Sequence, residues 1–312
     1  MSNNNKNKVR HTAIGGQALI EGVLMKGRKN VAICVRKPDG ELEKKVESLN
    51  KVEKISIFNL PIFRGMKILI STMILGTKAL MYSAEFYADT DEYEKSKFDL
   101  WIEDKFKEKA NDIILAISLV MSIVIAVFMF AVLPVFVTSF LRSTIKSAYL
   151  LSLFEGVFKI ALFVGYVALI SRMKEVKRVF QYHGAEHKVI HCFEAGEELT
   201  PENAAKFTTL HPRCGTSFLI LVLLISVAVF TFVSWDSVIL RMVYKVLLLP
   251  VVAGISFEVI KLTATSNNPI LKLIGLPGLY LQKLTTNEPD LSQLEVAIES
   301  LKLVLENEEA DI

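Results

Sequence analysis

One segment of this 312-residue sequence gathers side chains that could hold a metal ion and move a proton. The chain has 5 histidines, and four of them lie between positions 183 and 211. His183, His187 and His191 follow one another at intervals of four residues, so on a helix they fall one turn apart on the same face. Two neutral imidazoles at this spacing can chelate one divalent ion. The segment therefore predicts a metal site on a helix.

Glu186 lies beside that face and completes the pattern H-x-x-E-H, which begins at His183. This is the inverted zinc-hydrolase signature, in which both histidines bind zinc and the glutamate is the general base. His211 and Cys214 end the same polar segment, and tetrahedral zinc accepts imidazole and thiolate together. We therefore expect zinc as the cofactor and Glu186 as the catalytic residue. The expected metal ligands are His183, His187, His191, His211 and Cys214.

Two other interpretations of these residues remain open. A closed set of four ligands, such as His183, His187, His211 and Cys214, would form a structural site that stabilises the fold of this segment. Three ligands would instead leave a position for water and allow hydrolysis. The histidines could also be scattered polar residues of a loop beside the membrane, although histidine is otherwise nearly absent from the chain.

The apolar stretches of the chain indicate what positions these residues. Hydrophobic residues make up 52% of the sequence and the mean hydropathy is +0.40, which excludes an ordinary soluble domain. The first apolar stretch is longer than the roughly 20 residues that a span needs, so it should tilt, overhang or kink at Pro134. The sequence thus predicts an α-helical integral membrane protein with about four transmembrane helices, at residues 113–141, 150–171, 216–233 and 242–262.

The polar and amphipathic regions complete the predicted organisation. Residues 1–54 are expected to form a cytoplasmic β-rich lobe, because Pro38-Asp39-Gly40 is a turn signal between two short apolar runs, 31–36 and 42–49. Residues 55–112 should hold an amphipathic interfacial helix, at 61–85, and a charged linker. The membrane domain is then 113–262 with a cytoplasmic His-rich loop at 172–215, and 263–312 is an interfacial segment followed by an amphipathic helix.

Charge and cysteine usage limit the partners and the compartment. Lys+Arg 36 against Asp+Glu 33 gives a net charge of only +3, which disfavours nucleic acid as a partner. Three cysteines do not suggest a disulfide framework, and the N-terminus lacks the apolar core of a signal peptide. Lysine and arginine concentrate in the 172–215 loop and the N-terminal segment, so both termini should be cytoplasmic. Membrane lipid is an expected partner.

Several residues outside the His-rich loop also invite interpretation. Glu155 and Lys159 are four residues apart in the second span and are predicted to neutralise each other. Glu258 could bind the metal or form a hydrogen bond to one of its ligands. Alternatively, it is an interfacial carboxylate that pairs with Lys261. Four glycines between positions 15 and 27 match no phosphate-binding pattern and favour turns. A leucine-rich stripe after Asp290 should dock on this protein or on a partner.

The motifs taken together resemble those of the YqhQ-like family over almost the whole chain. The matching segments are GGQA from Gly15, EGVLM from Glu21, YHGAEHK from Tyr182, HPRCGTS from His211, PGLYLQ from Pro277 and EPD from Glu288. The resemblance implies a multi-pass protein of the bacterial inner membrane that is a predicted metal-dependent enzyme of unknown function. It implies no substrate.

Two functions fit these observations. The first is a zinc-dependent membrane hydrolase that acts at the cytoplasmic face on a lipid-linked or peptide substrate. The alternative is a non-enzymatic scaffold or assembly factor with a structural metal site, which could bind a protein partner through its C-terminal amphipathic helix. A transporter fits less well, because intramembrane charges are few and the two halves of the chain do not repeat each other.

Overall fold

The structure is a computed structural model that describes residues 12, 14–49, 61–87, 97–107, 110–233, 237–265 and 268–309. The chain divides into two compact units. The first unit comprises Met1–Ala88, Val164–Val222 and Pro250–Ile312, and the second comprises Asp89–Phe163 and Leu223–Leu249.

An antiparallel sheet of four strands opens the first unit, in the order β1-β2-β3-β4. Its strands are β1 Gly15–Leu19, β2 Gly22–Lys26, β3 Asn30–Arg36 and β4 Leu42–Ser48. The hairpin predicted at Pro38-Asp39-Gly40 is confirmed, since β3 pairs with β4 and Gly40 takes the left-handed conformation at φ 88°. The predicted turns at the earlier glycines are only partly right, because Gly15, Gly16 and Gly22 lie within strands.

Eleven α-helices follow within the described residues. They are α1 Pro61–Glu85, α2 Lys97–Phe106, α3 Ala110–Val127, α4 Leu133–Ser139, α5 Ala148–Ile170, α6 Lys174–Glu194, α7 Pro201–Ala204, α8 Gly215–Phe230, α9 Val238–Thr265, α10 Pro269–Thr285 and α11 Leu291–Glu309. Most of the segment expected as a polar loop, 172–215, is therefore helical. Within 263–312, the part expected to be an interfacial segment forms the unbroken helix α10 with Pro277 inside it.

In the described part of the chain, three helical segments are long and apolar enough to cross a membrane, which fits the predicted membrane protein: Ala116–Ser143, Ala148–Ile170 and Ile239–Thr263. A fourth span at 216–233 is not confirmed. The helix there, α8, has 16 residues, and at 1.5 Å per residue it is about 24 Å long, less than the hydrocarbon thickness of roughly 30 Å.

The first span changes its winding near Pro134 instead of running as one regular helix. A π-helical turn, Phe128–Val132, precedes α4, Pro134 lies in the first turn of α4, and a 3₁₀ turn, Phe140–Ser143, ends the segment. Proline lacks the N–H of the regular ladder and its ring crowds the preceding turn, so a wider turn at this point relieves the conflict.

The C-terminal helix α11 packs on β2, β3 and α6. Its start is a capping box: the Asp290 side chain accepts from the Gln293 N–H at 2.9 Å, and the Gln293 side chain accepts from the Asp290 N–H at 3.0 Å. Leu294, Ile298 and Leu301 of the predicted stripe are buried in the core of the first unit. This apolar face therefore docks on the protein itself.

The turn between β1 and β2 is tied to α6 through Glu21. The Glu21 carboxylate accepts a hydrogen bond from the Tyr182 hydroxyl at 3.1 Å and pairs with the Arg178 guanidinium, with 2.6 Å between Oε2 and Nη2. Burial, with help from the nearby Glu21 charge, raises the pKa of the Tyr182 phenol, so it stays protonated and donates. These contacts fix β1 alongside the helix that carries the histidines.

The second unit encloses an ion network between α5 and α9. The Arg241 guanidinium is 1% exposed and donates to Glu155 Oε2 at 3.2 Å, to the Ser152 hydroxyl at 2.9 Å and to the backbone carbonyls of Phe230 and Val233. The Lys245 ammonium donates to the other Glu155 oxygen. One carboxylate therefore holds two cations.

Lys159 does not form the predicted pair with Glu155, and that prediction is wrong. Its ammonium lies over the Phe230 ring, 5.2 Å from the centroid, and Lys245 lies 5.4 Å from the same centroid. The physical reason is that two cations of α9 already occupy both oxygens of the Glu155 carboxylate: Arg241 donates to Oε2 and Lys245 donates to Oε1.

Candidate metal centre

The candidate residues of helix α6 lie in its most buried segment. It lies against β1, β2, α7 and α11, and residues 182–190 are all buried. Gly184, an unfavourable residue inside a helix, is explained by this packing. A Cβ on Gly184 would lie 2.1 Å from the backbone carbonyl oxygen of Asn287, so only glycine lets the chain pass this close.

Three of the predicted ligands come together in one group. The ligand atoms of His183, His187 and Cys214 all lie within 4.8 Å of one another. His183 Nε2 is 3.1 Å from Cys214 Sγ. In a tetrahedral zinc site with Zn–N near 2.05 Å and Zn–S near 2.3 Å, a nitrogen and a sulfur ligand lie roughly 3.5 Å apart. The donor set therefore fits a zinc ion after only small side-chain movements.

Hydrogen bonds from the other ring nitrogens orient both histidines. His183 Nδ1 lies 2.8 Å from the Thr285 carbonyl oxygen, and His187 Nδ1 bonds to the Thr209 carbonyl oxygen. A carbonyl oxygen can only accept, so each Nδ1 carries a proton, and in the neutral ring each Nε2 then has the lone pair. This arrangement, in which Nδ1 donates to a carbonyl and leaves Nε2 for an ion, is typical of metal-binding histidines.

The two remaining predicted ligands lie in a second group, which contains His191, Glu194 and His211 within 4.8 Å. Glu194 is already engaged, because it pairs with Arg213 and accepts from the Thr12 N–H at 2.9 Å. Burial alone would raise the pKa of the Glu194 carboxyl, but Arg213 and Thr12 hold it below its usual value. A guanidinium within this group disfavours a cation there.

Both ring nitrogens of His211 contact Arg213. Its Nδ1 accepts from the Arg213 backbone N–H at 3.3 Å, and its Nε2 lies 3.3 Å from the Arg213 guanidinium. The His191 Nε2–H donates to the Leu210 carbonyl at 3.0 Å, and burial lowers the pKa of this imidazole. The rings of His187 and His211 are 5.4 Å apart, so the two groups are neighbours with different partners.

Glu186 lies next to the first group in a buried position. Its Oε2 is 3.7 Å from His187 Nε2. Burial raises the pKa of the Glu186 carboxyl, and the nearby His183 and the backbone N–H of Gly16 only partly oppose this. The carboxylate therefore borders the candidate metal position without belonging to the group of three.

Gly16 is a position beside the candidate site that the sequence interpretation missed. A Cβ on Gly16 would lie 2.7 Å from Glu186 Cγ and 2.6 Å from the Leu24 carbonyl oxygen. At Gly15, by contrast, a Cβ would meet nothing within 4 Å. Strand β1 can therefore lie against Glu186 only because residue 16 has no side chain. Glu194 was missed too, although its position three residues after His191 on α6 signals a shared face.

A cavity of about 290 Å³ opens onto these residues. Its lining includes Gly15, Gly16, Glu186, His187, His211 and Cys214. The base candidate and two of the three grouped ligands thus face the same space, which is large enough for water and a small reacting group. Neither group of possible ligands in the described part of the chain includes Glu258.

Comparison with known proteins identifies relatives of the whole chain. Residues 60–307 match the family model described as "Protein of unknown function (DUF1385)". The chain is 39% identical over 301 residues to the uncharacterized protein YqhQ of Bacillus subtilis strain 168, covering 94% of this chain and 92% of that protein. These findings confirm the resemblance to the YqhQ-like family. No solved structure matches the chain.

Proposed function

The chain belongs to the DUF1385 family, and from the site itself we propose that it is a metal-dependent hydrolase acting at the cytoplasmic face of the membrane. The observation that carries this proposal is the convergence of His183, His187 and Cys214 beside the carboxylate of Glu186. Both imidazoles are held in the tautomer that leaves a lone pair for an ion.

The donor set favours zinc over other divalent ions. A thiolate together with two imidazoles suits zinc, whereas magnesium and calcium prefer oxygen ligands. Bound zinc would supply Lewis acidity at the scissile bond. Three protein ligands are also the number typical of catalytic sites, whereas structural sites use four. His211, the nearest further imidazole, is committed to Arg213, which supports an open site.

Glu186 has the position needed for a general base. It lines the cavity, so it can take a proton from water there and return it to the leaving group. Its hydrogen bond from the Gly16 backbone holds the carboxylate in place on the side of β1. A scaffold with a structural metal would not need a buried carboxylate facing a cavity, and this observation supports the hydrolase.

Metal content tests the ligand assignment. We expect about one zinc per chain in the purified wild-type protein, near-complete loss in His187→Ala, and retention in His191→Ala, whose imidazole belongs to the second group. Elemental analysis by mass spectrometry measures this. Equal loss in both variants would contradict the assignment of the ion to the first group alone, and zinc absent from the wild-type protein would overturn the proposal.

Turnover tests the role of Glu186. Glu186→Gln keeps the size of the side chain but cannot accept a proton, so we expect bound zinc to remain and hydrolysis to fall by about 10²–10⁴-fold. Release of p-nitrophenol from p-nitrophenyl acetate and p-nitrophenyl phosphate measures the rate. Zinc retained with no hydrolysis by the wild-type protein would favour the structural metal site of a scaffold. Full activity in Glu186→Gln would refute the assignment of Glu186 as the general base.

A further inference from the structure

A second cavity, an apolar cleft of about 670 Å³, lies in the first unit beside the candidate metal centre. Its volume is within the range of sites that bind small molecules. Helices α1, α8 and α9 supply most of the lining, with apolar side chains that include Ile68, Met73, Leu80, Phe218, Leu219 and Phe257. Because Phe257 belongs to the candidate span Ile239–Thr263, this cleft borders a membrane helix.

The cleft adjoins the metal cavity. Arg213 and Gly215, which flank Cys214, line both spaces. Strand β1 also contributes to both, with Gly16 facing the metal cavity and the next residue, Gln17, lining the cleft. A Cβ on Gly76 would lie 2.0 Å from Gln17 Oε1, so the amide of Gln17 lies directly on α1. The cleft therefore has a polar end, and that end is at the metal centre.

We infer that the cleft holds the hydrocarbon chain of a lipid or lipid-linked substrate while the scissile bond lies in the metal cavity. This inference depends on the proposed function of the metal centre as a hydrolase. The reaction it implies is addition of water across an ester-type bond, with the hydroxyl joining the acyl or phosphoryl centre and the proton going to the leaving oxygen.

A peptide fits the cleft less well than a hydrocarbon chain. An extended peptide would bring N–H and C=O groups that each need a partner when buried. Among the described residues that line the cleft, Arg213 is the only charged one, and it is engaged by Glu194 and by the Thr12 carbonyl. A hydrocarbon chain needs only apolar surface, which the lining supplies, and it can enter from the bilayer beside α9.

Photo-crosslinking in lipid nanodiscs tests this inference. The probe is a phosphatidylglycerol with a diazirine at the end of its palmitoyl chain, at low mole fraction in phosphatidylcholine. We expect crosslinks at cleft residues, and about tenfold fewer of them in Leu219→Trp, because an indole would fill the cleft. Leu169→Trp is the matched control: Leu169 is an exposed leucine on α5 that does not line the cleft.

The outcomes separate this inference from the proposed function. Cleft crosslinks no more frequent than those on the exposed surface of α5, or unchanged in Leu219→Trp, would overturn the lipid assignment even if zinc is bound. Zinc measured in the same samples reports on the metal centre independently. Specific crosslinks in a protein without zinc would support a lipid site and refute the hydrolase. Both Leu219→Trp and Leu169→Trp should keep zinc.

Discussion

Gly16→Ala should lower hydrolysis of the p-nitrophenyl probes by about 10²-fold, the loss that a displacement of about 1 Å in an active site can cause. The added methyl would lie 2.7 Å from Glu186 Cγ and 2.6 Å from the Leu24 carbonyl oxygen, so either the base or strand β1 must move. The overpacking should also cost about 1–3 kcal/mol of stability.

Gly15→Ala is the matched control for this experiment. Residue 15 precedes Gly16 on the same strand and lines the same cavity, but its added methyl would meet nothing within 4 Å. We expect near-wild-type hydrolysis and thermal midpoint for this variant. If the two alanine variants behave alike, the close contact between β1 and Glu186 has no role in positioning the base.

Glu155→Leu should destabilise the protein by about 3–5 kcal/mol, the usual cost of removing one partner of a buried ion pair. The variant leaves Arg241 and Lys245 without their carboxylate in a site where both are at least 95% buried. Thermal unfolding in detergent micelles, followed by the loss of monodisperse protein in size-exclusion chromatography, measures the effect.

A control variant and a double variant test whether the loss of stability comes from the ion network. Glu175→Leu changes an exposed carboxylate on α6 and should shift stability by no more than about 0.5 kcal/mol. The double variant of Glu155→Leu with Arg241→Leu should cost less than the sum of the single changes, because the two side chains are in contact. Strict additivity would show that this contact contributes nothing to folding.

Local spacing predicted the parts of the site that depend on a single helix. The four-residue interval between His183 and His187 placed both imidazoles on one face of α6, and the turn signal at Gly40 predicted the β3–β4 hairpin. Cys214 was selected by its chemistry alone, since 31 residues separate it from His183. Whether these three residues hold zinc stays a prediction.

Features that depend on distant partners could not be read from the sequence. The i, i+4 rule paired Glu155 with Lys159, but the carboxylate meets Arg241 and Lys245, 86 and 90 residues further along the chain. His191 and His211 looked equivalent to the other histidines until Arg213 and Glu194 were placed beside them. The role of Gly16 depends on its distance from Glu186, which no local pattern encodes.

The ion network between α5 and α9 has a consequence for how the chain enters the membrane during synthesis. Charged residues at a helix centre cost about 2.5–3.5 kcal/mol each on insertion scales, so α5 is a poor segment to release into lipid alone. Arg241 emerges 86 residues after Glu155, a delay of roughly 4–17 s at translation rates of about 5–20 residues per second. We therefore expect helix α5 to be stable in lipid only once α9 has supplied the cations for its carboxylate.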